Sequence, residues 1–520
     1  MRHAPVSDDD RGQSVALADL LHRGSAREPI LFVGEEKFSR GDLTQSADGL
    51  TDALSSLGVA AGAVVASCLP APAAMVTALF GTWRSGASFA PLNPRLTDDE
   101  LSSMVAEITP AAVLVAFDDE RAGTIFAGIT VIEIDDALTW RVLSARRAPT
   151  PKTDVGIALV LYTSGTTARP KPVLLRRDKI TSAMTAVVRS LGRPHAAPVR
   201  TDVKAMPNLI AFPFFLWSGI YSACFALLQS SLIVAMTRFE PHRFAEIVRT
   251  HEIRSVVLAP AMIIELLETD DIDLSSLRFV RNGTAPLPIS IAIRFEERFG
   301  TLVLNGYGQT ELGGEVAGWS GRDVREFGRS KRGAVGRAHP GVIIRVVDDN
   351  GDKVAADVDG EVVVKSPFAM AGYLEAGDLD RFTADGLIRT GDLGHLDEDG
   401  FLWLTGRRSD VINRSGLKVF PQQVEDVLRG DPAVVDVAVA AVPDARVGQV
   451  PWAFVILRAG HRNRDVVEKR LEALARERLA AYKVPAGFSY VRTFPRNDAG
   501  KVLRRALTRH ASEGETADPA

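Results

Sequence analysis

The sequence has few cysteines and no excess of positive charge. Cys68 and Cys224 are its only cysteines, and they lie far apart in apolar surroundings. Two such residues do not form a disulfide framework, which favours a reducing cytoplasm. The 61 lysines and arginines stand against 65 acidic residues and leave a formal net charge of −4. This balance lacks the basic excess of nucleic-acid-binding proteins, so we expect no nucleic-acid partner.

Several signatures of catalytic sites are also absent from the sequence. It contains no G-x-x-x-x-G-K-[ST] phosphate loop, no G-x-S-x-G nucleophile motif and no C-x-x-C pair. Its nine histidines show no spacing typical of metal ligands. Covalent catalysis by a serine or cysteine and zinc chemistry are therefore disfavoured.

The N-terminal MRHAPVSDDDRGQ has no apolar region and does not resemble a signal peptide. Between Lys204 and Arg238 no charged residue occurs, and this run is long enough to span a bilayer. Pro207, Pro213 and Gly219 interrupt it as a strand, a turn, a short helix and a second strand would. We predict that it is buried core and that the chain has no membrane span.

A chain of 520 residues predicts two or more domains. Through the first 300 residues strand-like apolar runs alternate with helical patterns, which predicts α/β layers with buried, largely parallel sheets. From about Gly333, strands separated by Asp-Gly and Asn-Gly turns predict antiparallel hairpins. A compact C-terminal unit then follows, with an amphipathic helix in which Val467, Leu471 and Leu474 share one face.

Five polar segments along the chain carry candidate chemistry. YTSGTTARPK combines hydroxyls, loop N–H groups and a lysine, which suit phosphate oxygens. NGYGQTE places an aromatic ring, a hydroxyl and a carboxylate close together in the sequence. Ring stacking, a phosphate contact and Mg²⁺ binding could therefore occur side by side there. The other three segments are IRTGDLG, GRRSD and PRNDAGKVLRR. Each segment alone also fits ordinary turns, a helix cap or a solvated lysine.

In this order and at this spacing, the five segments resemble the adenylate-forming superfamily, which includes acyl-CoA synthetases, adenylation domains of peptide synthetases and luciferases. The resemblance covers roughly residues 15 to 508. It implies an α/β fold in which residues 15–409 form a large N-terminal domain of stacked α/β sheets plus a distorted β-barrel. Residues 410–508 would form a small, mobile α+β domain, and residues 1–14 and 509–520 would be disordered ends.

The resemblance implies two half-reactions. A carboxylate attacks the α-phosphate of Mg·ATP to give an acyl-adenylate and pyrophosphate, and a thiol then displaces AMP. By motif match Thr310 contacts the α-phosphate and Glu311 binds the Mg²⁺. Lys501 would reach in from the small domain and bridge carboxylate and phosphate oxygens. These three residues are the catalytic candidates.

The same motif match implies a nucleotide site. Tyr307 would stack on adenine, Asp392 would accept from the ribose hydroxyls, and Arg407 would donate nearby. The nucleotide-binding candidates are Thr163, Ser164, Gly165, Thr166, Thr167, Lys171, Gly283, Ala285, Pro286, Gly306, Tyr307, Thr310, Asp392, Arg407 and Lys501. Asp410 matches the hinge between the domains. Gly416 matches the glycine beside the pantetheine tunnel for coenzyme A.

The segment AFPFFLWSG aligns with a stretch that lines the acyl pocket in the family, and Leu216 stands where a histidine often occurs. The acyl-site candidates are Phe214, Leu216, Trp217, Gly219 and Gly308. This apolar, aromatic wall predicts a bulky hydrophobic acid, aryl or polycyclic, although some of the rings could instead pack in the core.

Coenzyme A is the thiol acceptor that the hinge region favours, and a carrier-protein phosphopantetheine is the alternative. A non-catalytic adenylate-binding protein stands as an alternative of another class. The cofactors implied are ATP, AMP, Mg²⁺ and coenzyme A.

The phosphate loop departs from the family pattern at two glycines, which are here Ala168 and Pro172. Pro172 has no N–H to donate and pushes Lys171 towards an extended backbone. Loss of one hydrogen bond to a charged group costs about 1.5–3 kcal/mol, or roughly 10- to 150-fold in rate. We therefore hypothesise slow adenylation by an enzyme that still thioesterifies a supplied acyl-adenylate.

Overall fold

The computed structural model describes residues 16–163, 170–190, 206–375, 381–383, 385–458, 460–461, 463–497 and 500–512. The helices within these ranges are α1 (Arg40–Ser56), α2 (Pro72–Arg84), α3 (Asp98–Ile108), α4 (Arg177–Ser190), α5 (Trp217–Leu228), α6 (Pro241–Thr250), α7 (Pro260–Leu267), α8 (Ile289–Phe299), α9 (Gly321–Phe327), α10 (Pro421–Leu428), α11 (Arg464–Arg478) and α12 (Arg504–Ser512).

The strands within the same ranges are β1 (Pro29–Val33), β2 (Glu36–Ser39), β3 (Val64–Cys68), β4 (Ser88–Pro91), β5 (Ala112–Val115), β6 (Thr130–Ile134), β7 (Trp140–Ser144), β8 (Ile157–Thr163), β9 (Lys171–Arg176), β10 (Asn208–Ile210), β11 (Ile233–Ala235), β12 (Ser255–Leu258), β13 (Phe279–Asn282), β14 (Leu302–Asn305), β15 (Tyr307–Gln309), β16 (Gly314–Gly318), β17 (Arg337–Ala338), β18 (Ile343–Val347), β19 (Gly360–Lys365), β20 (Gly372–Tyr373), β21 (Ile388–Leu396), β22 (Leu402–Arg407), β23 (Ile412–Arg414), β24 (Leu417–Val419), β25 (Val434–Asp444), β26 (Gly448–Leu457) and β27 (Gly487–Tyr490).

A large mixed sheet, ordered β20-β9-β8-β4-β3-β5-β6-β7, forms the first layer. Its centre is parallel, because β3 pairs in parallel with β4 and β5, and β5 pairs in parallel with β6. Every residue of β3, β4 and β5 is buried, and α2 is buried along its length up to Arg84. Strands covered on both faces read as continuous apolar runs. The predicted layers of buried, largely parallel sheet are confirmed.

The second layer contains the parallel sheet β12-β13-β14 and the sheet β10-β11-β1-β2. The uncharged run after Lys204 supplies β10, α5 and β11, as predicted for buried core. Among the described helices, none has both the length and the apolar composition needed to cross a membrane.

The predicted antiparallel hairpins are also confirmed. They form a sheet ordered β18-β19-β21-β22, in which all neighbours are antiparallel. A smaller antiparallel sheet, β15-β16-β17, lies beside the site described below. These strands are the counterpart of the expected distorted β-barrel, but in the part of the chain that the structure describes no sheet closes on itself.

The C-terminal unit is a small α+β fold. Its sheet has the order β24-β23-β26-β25, and β27 pairs in parallel with β26. In α11, Val467 and Leu471 are buried as predicted, whereas Leu474 is only partly covered and Ala475 completes the buried stripe. The helix α12 runs to Ser512, past the predicted end of the ordered chain. The domain boundary at Asp410 stays a prediction, and a 3₁₀ turn ending there leads directly into β23.

Candidate active site

A cavity of about 210 Å³ lies where the large and small domains face each other. The predicted nucleotide-site residues that line it are Ala285, Pro286, Gly306, Tyr307, Asp392, Arg407 and Lys501. Gly283 is not part of this lining, although its neighbours Asn282 and Thr284 are. Asn282 positions the wall, because its side-chain amide donates to the Ala285 carbonyl at 3.1 Å and to Asn305 at 3.0 Å.

Asp392 is the hydrogen-bonding centre of this cavity. One of its oxygens, Oδ2, accepts from the Tyr307 hydroxyl at 2.8 Å and from Gln309 Nε2 at 2.7 Å. The other, Oδ1, lies 3.0 Å from Arg407 Nε. Three of about four lone-pair positions are thus engaged, and one remains for a ribose hydroxyl. Burial raises the pKa of Tyr307 well above its usual range, so the phenol stays a donor.

Lys501 enters the same cavity from the small domain. A turn places it there, since the backbone N–H of Lys501 donates to Asn497 Oδ1 at 2.8 Å. Burial, with a further contribution from Arg407, lowers its pKa to about 8, although Asp410 and Asp392 oppose this shift. Lys501 therefore lies beside the predicted nucleotide contacts Asp392 and Arg407.

The hinge and tunnel candidates occupy different places. Asp410 lines the cavity, and its carboxylate lies 3.6 Å from Arg504 Nε. Gly416 lies in the exposed turn between β23 and β24, where its φ of +86° favours glycine. Its N–H donates to Asn413 Oδ1 at 2.8 Å, and it does not line the cavity. The role of Gly416 in coenzyme A binding stays a prediction.

Glu311 follows β15 in a 3₁₀ turn that begins at Thr310. Its buried carboxylate already has a cationic partner, because Arg381 Nη1 lies 2.8 Å from Glu311 Oε1. The same Nη1 donates to the Tyr373 hydroxyl at 2.8 Å. Arg381 and Tyr373 were not expected from the motifs, since they lie in a segment without a recognisable pattern. Thr310 does not line the cavity.

The residues around Glu311 fit a magnesium ion only in part. Among the described residues no group of three or more histidines, cysteines or carboxylates could hold a metal. Mg²⁺ commonly uses only one or two carboxylates and completes its coordination with substrate phosphates and water. Glu311 therefore fits a nucleotide-bound Mg²⁺ in residue type, but Arg381 would have to yield its place.

The ends of the phosphate loop are described, and its centre is not. Thr163 and Lys171 face each other across β8 and β9. Ser164, Gly165, Thr166, Thr167 and Ala168 lie outside the described residues. Pro172 stands inside β9, and its carbonyl accepts from the Leu374 N–H at 3.0 Å. Lys171 Nζ lies 5.6 Å from the centre of the Tyr373 ring. Tyr373 therefore contacts both Lys171 and Arg381, the partner of Glu311.

The acyl-site candidates fall into two groups. Phe214 is buried beside a second cavity of about 180 Å³ and does not line the nucleotide cavity. Leu216 is the N-cap residue of α5. A Cβ on Gly219 would lie 2.3 Å from the Pro213 carbonyl oxygen, so close packing requires glycine at position 219. Trp217 faces β16 instead: its Nε1 lies 3.8 Å from the position of a Cβ on Gly314.

Gly308 lines the nucleotide cavity, unlike the other acyl-site candidates. A Cβ on Gly308 would lie 2.1 Å from the Gly314 carbonyl oxygen, so the two short strands β15 and β16 approach closely. The sequence motifs missed three polar residues nearby: Glu315, which follows Gly314 in β16, and its partners Arg281 and His339.

Comparison with known proteins shows the family of the chain. Residues 21–374 match the family described as AMP-binding enzyme, and residues 423–501 match the AMP-binding enzyme C-terminal domain. The chain belongs to this family of adenylate-forming enzymes. A 4-coumarate–CoA ligase-like 9 from Oryza sativa subsp. japonica is 30% identical over 91% of this chain and 88% of its own.

Two solved structures resemble this AMP-binding enzyme over nearly its whole length. The o-succinylbenzoate CoA synthetase from Bacillus subtilis, in complex with its acyl-adenylate intermediate, is 25% identical with a TM-score of 0.78 and covers 95% of this chain and 97% of its own. The amide bond synthetase McbA from Marinactinospora thermotolerans is 28% identical with a TM-score of 0.78, and the match covers 95% of this chain and 99% of its own. The predicted superfamily and two-domain α/β fold are confirmed.

Proposed function

We propose that this AMP-binding enzyme is an AMP-forming acid–thiol ligase that converts a bulky hydrophobic acid, aryl or polycyclic, to its coenzyme A thioester through an acyl-adenylate. ATP, Mg²⁺ and coenzyme A are its cofactors. The observation that carries the proposal is the shared cavity of Lys501 with Tyr307, Asp392 and Arg407. The named acyl-CoA ligase relatives support coenzyme A as acceptor and give no support to a carrier protein.

The residues of this chain suit the adenylation step. Lys501 would hold the substrate carboxylate against the α-phosphate, because a protonated amine attracts both groups and positions them for attack. Thr310 would donate to a phosphate oxygen. Mg²⁺, when bound by Glu311 and the phosphates, supplies neutralisation of developing charge. Asp392 and Arg407 would hold the ribose, and Tyr307 would hold adenine.

The aromatic wall supports a bulky acid. Trp217 and Tyr221 lie edge to face on α5 with ring centres 5.4 Å apart, and Phe225 stacks on Tyr221 at 6.2 Å. A row of rings at this spacing would offer an apolar wall to a flat substrate. In a substrate screen that follows acyl-CoA by mass spectrometry, large aryl acids should outcompete acetate and amino acids. Preference for acetate or an amino acid would overturn this part of the proposal.

We further propose that the adenylation half-reaction is slow. Pro172 removes a backbone donor next to Lys171, at the start of β9 directly after the loop that should close on the phosphates. The Arg381 guanidinium holds the carboxylate that should bind Mg²⁺. Both features weaken handling of ATP, whereas thiol attack on an acyl-adenylate needs neither group. The enzyme would then work mainly on a supplied acyl-adenylate.

The decisive experiment compares two starting points in the same enzyme. Acyl-CoA formation is measured from acid plus ATP and from synthetic acyl-adenylate, in the native chain and in the Ala168→Gly/Pro172→Gly double variant. The native chain should be faster from the acyl-adenylate, and the double variant should gain rate only on the ATP route. Equal, fast turnover from both starting points would contradict slow adenylation. Absence of turnover from either would favour the non-catalytic alternative.

A further inference from the structure

Three polar side chains meet at the end of the predicted acyl site. Glu315 of β16 accepts through Oε1 from Arg281 Nη2 at 2.6 Å and from His339 Nε2 at 2.9 Å. The other ring nitrogen of His339 lies 3.2 Å from the Ser190 hydroxyl. We call Arg281, Glu315 and His339 the Glu315 cluster. Its members come from β13, from β16 and from the residue after β17, which the fold brings together.

The Glu315 cluster lies between the nucleotide cavity and the aromatic row of α5. A Cβ on Gly306, which lines the cavity, would lie 3.2 Å from Glu315 Oε2. A Cβ on Gly314 would lie 3.3 Å from a ring carbon of Tyr221. Because neither position carries a side chain, only glycine backbone separates Glu315 Oε2 from the cavity at Gly306, and β16 from the Tyr221 ring at Gly314. A group attached to an adenylate in the cavity could therefore reach this carboxylate.

The cluster is poorly explained as a stabilising feature. The His339 side chain is 2% exposed, and those of Arg281 and Glu315 are 19% and 25% exposed. Buried charge pairs of this kind rarely stabilise a fold more than apolar side chains of the same size would. The residual exposure of the Glu315 side chain, next to Gly306 of the nucleotide cavity, instead suggests a contact with a ligand.

Polar atoms around this space lack partners among the described residues. The Tyr221 hydroxyl is buried there without a hydrogen bond. Both hydrogen bonds that described residues make to Glu315 end on Oε1. Although burial alone would raise the pKa of Glu315, Arg281 and His339 hold it below its usual range. Oε2 is therefore an ionised acceptor, and burial raises the pKa of Tyr221 so that it stays a phenol.

We propose that the acid is an aromatic acid with a neutral O–H or N–H donor on the ring edge far from its carboxylate, and that this donor binds Glu315 Oε2 beside the Tyr221 hydroxyl. The inference rests on the proposed function and narrows its substrate class. A neutral donor fits better than an ammonium group, because Arg281 already offsets the charge of Glu315. Glu315 and Tyr221 would then determine specificity, since a buried polar site rejects an analogue that leaves it unpaired.

The test uses binding of stable sulfamoyl-adenosine analogues, so it does not depend on turnover. Three acyl groups are compared by calorimetry: a hydroxynaphthoyl group with its hydroxyl on the distal ring, the parent naphthoyl group and the methoxynaphthoyl group. The native chain should bind the hydroxyl analogue roughly 10- to 150-fold more tightly than the parent, as expected for a hydrogen bond to a charged group. The methoxy analogue should bind no better than the parent.

Variants assign the effect to the residues named. Glu315→Gln should bring the hydroxyl-to-parent ratio close to one while the affinity for AMP stays unchanged, and Tyr221→Phe should reduce the ratio in part. Glu133→Gln removes another buried carboxylate that pairs with an arginine, Arg141, and should leave the ratio intact. If Glu315→Gln does not fold, the hydroxyl-to-parent affinity ratio of the native chain and its change in Tyr221→Phe still test the inference.

The outcomes separate the two proposals. Equal binding of the hydroxyl and parent analogues would overturn the inference and leave the proposed function standing. An unchanged ratio in a folded Glu315→Gln variant would also overturn it. Binding of AMP without binding of any aryl analogue would overturn the proposed substrate class, and this inference with it.

Discussion

Arg381 Nη1 lies 2.8 Å from Glu311 Oε1, so the carboxylate expected to bind Mg²⁺ is held by an arginine of the same chain. The Tyr373 hydroxyl accepts from the same guanidinium at 2.8 Å, and the Lys171 amine lies over the Tyr373 ring. Two cations of the protein thus converge where the triphosphate and its metal are expected. If Glu311 binds Mg²⁺ as proposed, we expect binding of Mg·ATP to rearrange this group.

Replacing Arg381 should therefore ease metal binding. In Arg381→Ala the Mg²⁺ concentration that gives half-maximal ATP binding should fall about five-fold, since a partly exposed ion pair contributes about 1 kcal/mol. Binding of a fluorescent ATP analogue, titrated with Mg²⁺, measures this directly. Arg345→Ala removes the exposed pair with Asp385 and serves as control. A higher Mg²⁺ requirement in Arg381→Ala would contradict the competition and indicate a contact between Arg381 and phosphate.

The ATP-dependent step should weaken in alkaline solution. The pKa of Lys501 is lowered to about 8, so its amine is charged below that pH and neutral above it. Because adenylation needs the charged form, kcat/KM for ATP, followed by pyrophosphate release, should fall as pH rises through about 8. Lys501→Arg stays charged and should lose this decline while being slower at neutral pH. The same decline in Lys501→Arg would assign the titration to another group.

The Tyr307 ring and its hydroxyl should contribute differently to nucleotide binding. Tyr307→Phe keeps the ring but removes the donor to Asp392, so the Kd for AMP should rise less than roughly ten-fold. Tyr307→Ala also loses stacking worth about 1–3 kcal/mol, and the Kd should rise by a further factor of roughly 5 to 150. Isothermal titration with AMP measures both, and Tyr490→Phe on the distant β27 is the control. Equal affinities for the phenylalanine and alanine variants would argue against adenine stacking.

Gly219 should tolerate no side chain. Its Cβ would lie 2.3 Å from the Pro213 carbonyl oxygen, so Gly219→Ala must displace either α5 or the preceding turn. We expect a loss of about 1–3 kcal/mol in the free energy of unfolding, measured by urea denaturation. Gly123→Ala is a matched control, because a Cβ there meets nothing within 4 Å. Equal stability of the two variants would show that the turn at Pro213 adapts without cost.

Local sequence patterns predicted much of the fold. The alternation of apolar runs and helical periods predicted the parallel layers, and Asp-Gly and Asn-Gly turns predicted the antiparallel sheet, because these signals depend on nearest neighbours along the chain. The prolines within the uncharged run marked a strand, a helix and a strand rather than a membrane helix. The expected barrel has no closed counterpart among the described sheets, since closure depends on how distant strands meet.

The order of motifs by itself determined the family, and it predicted Tyr307, Asp392, Arg407 and Lys501 as nucleotide contacts. The tertiary structure brings these four residues to one cavity. Only the tertiary structure decided that Glu311 faces Arg381 and that Glu315 lies between Arg281 and His339. These partners are separated along the chain by whole strands and loops. The Glu315 pairs follow from how β13, β16 and the end of β17 meet, and the Glu311 pair follows from where the segment between β20 and β21 lies, neither of which a local pattern encodes.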